Sequence, residues 1–144
     1  MQADLKGEQL VRDSFTAALA AAQPGLITSS AYNRLPQTPT AIIALGKAAG
    51  AMAAAVRDAG YRGVGLVITT DENHRQIAGF ECFASAHPVP DERGLAAATA
   101  VEKMALGLGA KDHLLLLISG GGSALLPAPA IGTCWNKYNN EITR

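Results

Sequence analysis

Short apolar runs, separated by longer segments with helical spacing, form the main pattern of this chain. Their length and their bounding turn residues predict strands near residues 41–45, 64–69, 80–85 and 114–118. The first and the last of these runs contain no polar residue. Because both faces of such a strand are apolar, we expect these two strands to be buried.

The segments around these runs predict helices. Apolar residues recur at helical spacing over residues 10–22, and Pro24-Gly25 ends that pattern. Residues 26–39, rich in Ser, Thr and Pro, are interpreted as a connector. An Ala-rich helix is expected over residues 46–58, and another over residues 91–107, whose acidic start suits a helix N-terminus.

Strands that alternate with helices of this length predict βαβ units. The fold class expected is α/β, a three-layer α/β/α sandwich with a mostly parallel, Rossmann-like sheet. Right-handed crossovers would place helices on both faces of the sheet. In such sheets ligands bind at the carboxyl ends of the strands, so the turns after the strands are the segments to search for a site.

Size and charge narrow the function classes. A chain of 144 residues fits one compact domain, and its 12 basic and 12 acidic residues balance, which argues against a nucleic-acid partner. The apolar runs are too short to cross a membrane, and the first ten residues lack a signal-peptide core. Cys82 and Cys134 form no CxxC pair, and the histidines lack metal-ligand spacing. We therefore expect a cytoplasmic protein without a membrane contact or a protein-held metal.

Two turns at predicted strand ends carry candidate chemistry. Gly120, Gly121 and Gly122, followed by Ser123, end the strand at 114–118, and Lys47 follows the strand at 41–45. Glycines allow a ligand to approach the backbone, and free N–H groups at a helix start favour an anion. Lys47 could neutralise charge during phosphoryl transfer. The alternatives are a turn that only needs space and an exposed lysine on a first helical turn.

These turns match none of the common fingerprints. Lys47 is followed by Ala where a Walker loop needs Ser or Thr, and the spacing from Gly46 to Gly50 does not fit GxGxxG. Ser123 lacks the second glycine of a nucleophile elbow and is interpreted as an N-cap or a phosphate donor. His87 lies in a proline-rich turn, where it either contacts substrate or belongs to a fixed turn before a capped helix.

Three segments together resemble one family. They are ALGKAAGAMA at 44–53, HPVPDERG at 87–94 and LISGGGSALLPAP at 117–129, and they look like the N-terminal domain of bacterial-type glycerate 2-kinases. The resemblance implies transfer of the ATP γ-phosphate to the 2-hydroxyl of D-glycerate, with Mg²⁺, giving 2-phosphoglycerate. It makes Lys47 the catalytic lysine, and Gly120, Gly121, Gly122 and Ser123 the anion-binding loop. His87 lies in a second motif of the family and is taken as a substrate- or phosphate-binding residue.

The resemblance also implies a division of the chain and leaves alternatives open. We expect an incomplete kinase-like domain over residues 1–130, an atypical tail over 131–144, and no C-terminal MOFRL domain. Such a chain alone is expected to be inactive and to self-associate through the exposed domain interface. Because some family members have been labelled hydroxypyruvate reductases, an oxidoreductase is one alternative. A non-catalytic binding domain is the other.

Overall fold

A four-stranded parallel sheet forms the centre of the computed structural model, which describes residues 2–129. The strand order is β3-β2-β1-β4, and every neighbouring pair is parallel. The strands are β1 (Ala41–Leu45), β2 (Val64–Thr70), β3 (Phe80–Ser85) and β4 (Leu114–Ile118). The helices are α1 (Gln2–Ala21), α2 (Pro24–Tyr32), α3 (Ala49–Asp58), α4 (Glu92–Leu106) and α5 (Gly122–Leu125). The α/β class and the four strand positions predicted from the sequence are confirmed.

Helices cover both faces of the sheet. On one face α3 packs with α2 over a cluster that includes Ile42, Val56, Tyr61 and Val67. On the other face α4 and α5 cover Ile43, together with apolar residues of β2. The chain moves along the sheet in one direction through α3 and in the opposite direction through α4. Two right-handed crossovers of opposite direction require opposite faces, as observed.

The connector expected over residues 26–39 is wrong in its first part. Residues 24–32 form α2, which begins at Pro24, a residue suited to a first helical position. Ser and Thr are weak helix formers, but Thr28 is buried and Tyr32 packs against the core cluster below α3. Tertiary contact therefore overrides local propensity in this segment.

The last strand is less buried than its sequence predicts. β4 lies at the edge of the sheet, and its side chains alternate between half-buried and exposed. Leu115 and Leu117 pack against the core cluster below α3, whereas Leu116 and Ile118 are 53% and 67% exposed. The reason is that α4 and α5 lie over β2 and β3, so they leave the corresponding face of β4 uncovered among residues 2–129.

Helix α1 also presents apolar residues to the surface. Its large apolar side chains, Leu10, Val11, Phe15 and Leu19, are each more than half exposed. Within residues 2–129, no helix combines the length and the hydropathy needed to cross a membrane. The predicted tail at 131–144, with Cys134, lies outside the described residues.

Candidate functional site

The carboxyl ends of β1 and β4 lie where the winding of the sheet reverses, and we call the surface between the turns that follow them the crevice. The two strands are direct neighbours, and the chain leaves β1 towards α3 on one face and β4 towards α5 on the other. In open α/β sheets the loops separate at such a point and leave room for a ligand. Lys47 and the Gly120–Ser123 loop both lie here.

Backbone hydrogen bonds join the two turns directly. The Lys47 amide donates to the Gly120 carbonyl at 2.9 Å, and the Ser119 amide donates to the Leu45 carbonyl at 2.8 Å. Both bonds continue the pairing of β1 with β4 past the last strand residues. The structure therefore brings Lys47 and the glycine loop side by side, because parallel neighbours end at the same edge of a sheet.

A third residue, Ser119, links these turns, although no sequence pattern assigned it a role. The Ser119 hydroxyl accepts a hydrogen bond from the Ala48 amide at 3.0 Å and donates one to the Leu45 carbonyl at 3.3 Å. Gly46 has a φ of +113°, and a Cβ at that position would overlap the Ser119 hydroxyl. Only glycine fits this turn without strain. The positive φ of Gly46 is also incompatible with an α-helix, so α3 begins after this residue, at Ala49.

Gly121 brings His87 to the same place. It has a φ of +93°, and a Cβ there would lie 3.2 Å from Cδ2 of His87 and 3.5 Å from Cε of Lys47. The side chains of Lys47 and His87 therefore both lie beside the bare backbone of Gly121. Both residues are exposed, as is Gly120, around which there is open space. The arrangement gives a ligand access to the loop amides beside a cationic side chain.

The remaining two loop residues differ in their roles. Gly122 packs against Leu45, with its Cβ position 3.2 Å from that side chain, so its lack of a side chain serves packing. Ser123 was expected to be an N-cap or a phosphate donor, and the N-cap interpretation is wrong. Gly121 takes the N-cap position of α5, because a left-handed conformation is required there. Ser123 lies inside α5 and is exposed, so its hydroxyl is accessible.

The electrostatics of the crevice favour an anion. The N-cap of α3 is Ala48, which offers no side-chain cap, and the first turn contains no acidic residue. No acidic residue of this turn therefore compensates the partial positive charge of the helix end, and Lys47 adds a full charge beside it. Arg75 lies 3.5 Å from the Cβ position of Gly50, on the first turn of the same helix. Arg75 belongs to a polar loop, and nothing in the sequence indicated that it would lie beside α3.

The proline-rich turn that carries His87 is followed by an ion-pair network. Asp91 is the N-cap of α4 and accepts from the Arg93 amide at 3.1 Å. The Arg93 guanidinium also bonds the Asp91 carboxylate at 2.7 Å and holds both carboxylate oxygens of Asp71, at 2.6 and 3.0 Å. Hydrogen bonding to Arg93 lowers the pKa of Asp71. The sequence offered a capped helix after the His87 turn as one interpretation, and Asp91 is that cap.

A close contact connects the second and third family-like segments. Gly94, on the first turn of α4, has no room for a Cβ beside the ring of Pro127, which is fully buried. The segment after α5 is thereby held against the start of α4. The contact accounts structurally for a glycine and a proline that lie 33 positions apart in the sequence. Within residues 2–129, no group of three or more His, Cys, Asp or Glu side chains is arranged to hold a metal.

Comparisons with known proteins agree on one family. Residues 10–142 match a family model described as a domain of unknown function, DUF4147. A protein of Agrobacterium vitis with a provisional hydroxypyruvate reductase name is 40% identical over 132 residues, which are 88% of this chain and 29% of the relative. Human glycerate kinase is 52% identical over 56 residues, 39% of this chain and 10% of the relative.

A solved structure shares the fold of this chain. The crystal structure of glycerate kinase from Thermotoga maritima matches 94% of this chain and 34% of its own length, with a TM-score of 0.87 at 27% identity. The chain thus spans about a third of that structure and less than a third of the Agrobacterium relative.

Proposed function

Since this chain belongs to the DUF4147 family and is similar to glycerate kinases, we propose that it is the N-terminal region of such a kinase and that its crevice between β1 and β4 binds the phosphates of ATP. The reaction proposed for the whole enzyme is transfer of the γ-phosphate to the 2-hydroxyl of D-glycerate. This chain contributes one wall of that site.

One observation carries the proposal: Lys47, His87 and the bare backbone of Gly121 converge at the carboxyl edge of the sheet. The loop amides and the N-terminus of α3 can donate to phosphate oxygens. Lys47 would place its ammonium against the charge that grows on the transferred group. His87 and Ser123 would donate further hydrogen bonds from the rim.

Mg²⁺ fits this wall only as a partner of the nucleotide. The described residues offer no cluster of carboxylates for it, and Mg²⁺ commonly keeps several waters and binds phosphates directly. When bound, the ion would neutralise phosphate charge. Lys47 and the loop amides would then hold the oxygens that the ion leaves free.

The competing function is reduction of hydroxypyruvate, which the provisional name of the Agrobacterium relative favours. A nicotinamide-dependent reductase needs a dinucleotide site. The turn after β1 reads Gly46-Lys47-Ala48-Ala49-Gly50 and lacks the GxGxxG spacing that brings backbone to a pyrophosphate. The kinase is therefore the function that we propose.

Titration calorimetry of the 144-residue chain with ATP plus Mg²⁺ and, separately, with NADH tests both functions. We expect ATP to bind and NADH not to. Because a hydrogen bond to a charged group contributes about 1.5–3 kcal/mol, Lys47→Ala should weaken ATP binding by about tenfold or more. Lys111→Ala is the matched control, since Lys111 is an exposed lysine that precedes β4 and lies at the amino ends of the strands, away from the crevice. Binding of NADH alone, or equal ATP affinities of both variants, would contradict the proposal.

A further inference from the structure

We propose that Ser119 is a positioning residue that holds the Lys47 turn against the glycine loop. The inference rests on the proposed function, because it assigns to Ser119 the geometry of that same crevice. Ser119 is half-buried and lies directly before Gly120.

The Ser119 hydroxyl uses both of its hydrogen-bonding capacities on the turn that carries Lys47. It accepts from the Ala48 amide, one residue after Lys47, and donates to the Leu45 carbonyl, two residues before. A single oxygen thereby joins the two ends of the turn across a separation of more than 70 residues in sequence. A hydroxyl suits this position because a single oxygen can donate and accept at once.

The backbone around Ser119 supports the same role. Its own amide bonds the Leu45 carbonyl, and the next carbonyl, that of Gly120, receives the Lys47 amide. The absent Cβ of Gly46 is what lets the Ser119 side chain enter the turn. On the other side, the Gly46 amide bonds the Ile68 carbonyl of β2 at 3.0 Å. The turn is therefore held from both neighbouring strands, and Ser119 is the only side chain that holds it from the β4 side within residues 2–129.

These bonds distinguish positioning from catalysis. The Ser119 hydroxyl donates to the Leu45 carbonyl and not to a basic side chain, so its oxygen is not prepared to attack a substrate. Removing the hydroxyl leaves the Ala48 amide without its partner at the start of α3. The turn then loses its side-chain link to β4, and only the backbone bonds hold Lys47 beside the loop of the proposed site.

Amide hydrogen exchange on the chain without ligand is the first test. In Ser119→Ala we expect the Ala48 and Lys47 amides to exchange about fivefold to tenfold faster, the effect of one lost hydrogen bond. The Lys47 amide matters most, because its partner, the Gly120 carbonyl, is not changed by the substitution. The β1 amides should keep their rates, as should all amides in the control Ser14→Ala on exposed α1. Unchanged exchange at Lys47, or equal acceleration across β1, would overturn the assignment.

Binding of pyrophosphate is the second test, measured on the same variants. We expect Ser119→Ala to weaken pyrophosphate binding about fivefold and Ser14→Ala to leave the affinity unchanged. The thermal midpoints of the two variants should agree within about 4 °C. Faster exchange at Ala48 with unchanged affinity would refute a positioning role. If the wild-type chain binds no pyrophosphate, the proposed function fails, and exchange at Lys47 still decides the role of Ser119.

Discussion

The turn after β1 allows a sharp test of how the site is built, through the substitution Gly46→Ala. Gly46 combines a φ of +113° with a Cβ position that overlaps the Ser119 hydroxyl and lies 2.5 Å from the Ser119 carbonyl oxygen. Alanine must therefore adopt an unfavourable backbone conformation and displace the start of the glycine loop. The two effects are separable, because the chain contains a glycine with the first problem only.

That glycine is Gly60, which has a φ of +104° and nothing within 4 Å of its Cβ position. Left-handed strain costs about 1–2 kcal/mol, so Gly60→Ala should lower the free energy of unfolding by that amount. Gly46→Ala adds the cost of overpacking, about 1–3 kcal/mol. We expect a total loss of about 2–5 kcal/mol, so that the variants differ by the crowding around Ser119 alone. For a chain of this size each kcal/mol lowers the thermal midpoint by about 4 °C.

The assay is urea unfolding followed by circular dichroism, combined with calorimetry of ATP binding. Gly46→Ala should unfold at lower urea than Gly60→Ala and should lose ATP affinity, while Gly60→Ala keeps it. Equal stability of the two variants would show that the crowding argument is wrong. Unchanged ATP affinity in a folded Gly46→Ala chain would separate this turn from the proposed site.

Four further outcomes are expected. In a full-length relative, replacing the residue that corresponds to Lys47 by Ala should lower kcat far more than it raises KM, because a charge placed on the transferred group acts mainly in the transition state. Steady-state kinetics test this, and equal turnover by the variant and the parent enzyme would show that Lys47 is not catalytic. Because Arg93 lowers the pKa of Asp71 below its ordinary 3.8, the ion pair stabilises the fold above pH 3.8, and this stabilisation is lost as the pH falls through the lowered pKa. The thermal midpoints of wild type and Asp71→Asn should therefore converge in acid, and a constant difference between them at every pH would contradict this. The 144-residue chain should give no 2-phosphoglycerate from ATP, Mg²⁺ and D-glycerate, since phosphoryl transfer needs charges on all sides of the phosphate; turnover like that of a full-length relative would refute the expectation. Its exposed apolar residues on α1 and β4 should cause self-association in sedimentation velocity, and a concentration-independent monomer would exclude it.

The sequence by itself determined the strands and the end of the sheet at which the proposed site lies. Five-residue apolar runs bounded by turn residues, such as Ala41–Leu45, are typical of strands, and their alternation with helices favours parallel order. Parallel strands end at one edge, so Lys47 and Gly120–Ser123 were predictable as a pair on the same edge. The family-like segments then indicated which chemistry to expect there.

The tertiary structure decided everything that depends on contacts between distant segments. Residues 24–32 form a helix because Thr28 is buried and Tyr32 packs against the core, and the composition of a Ser- and Thr-rich segment does not predict these contacts. The position of β4 at the edge of the sheet follows from strand order, and its exposed Leu116 could not be inferred from an all-apolar run. The Ser119 hydroxyl meets the Ala48 amide across 71 residues. Hydrophobic periodicity reports the local conformation of each segment, whereas such hydrogen bonds depend on which strands become neighbours, and only the folded sheet establishes that.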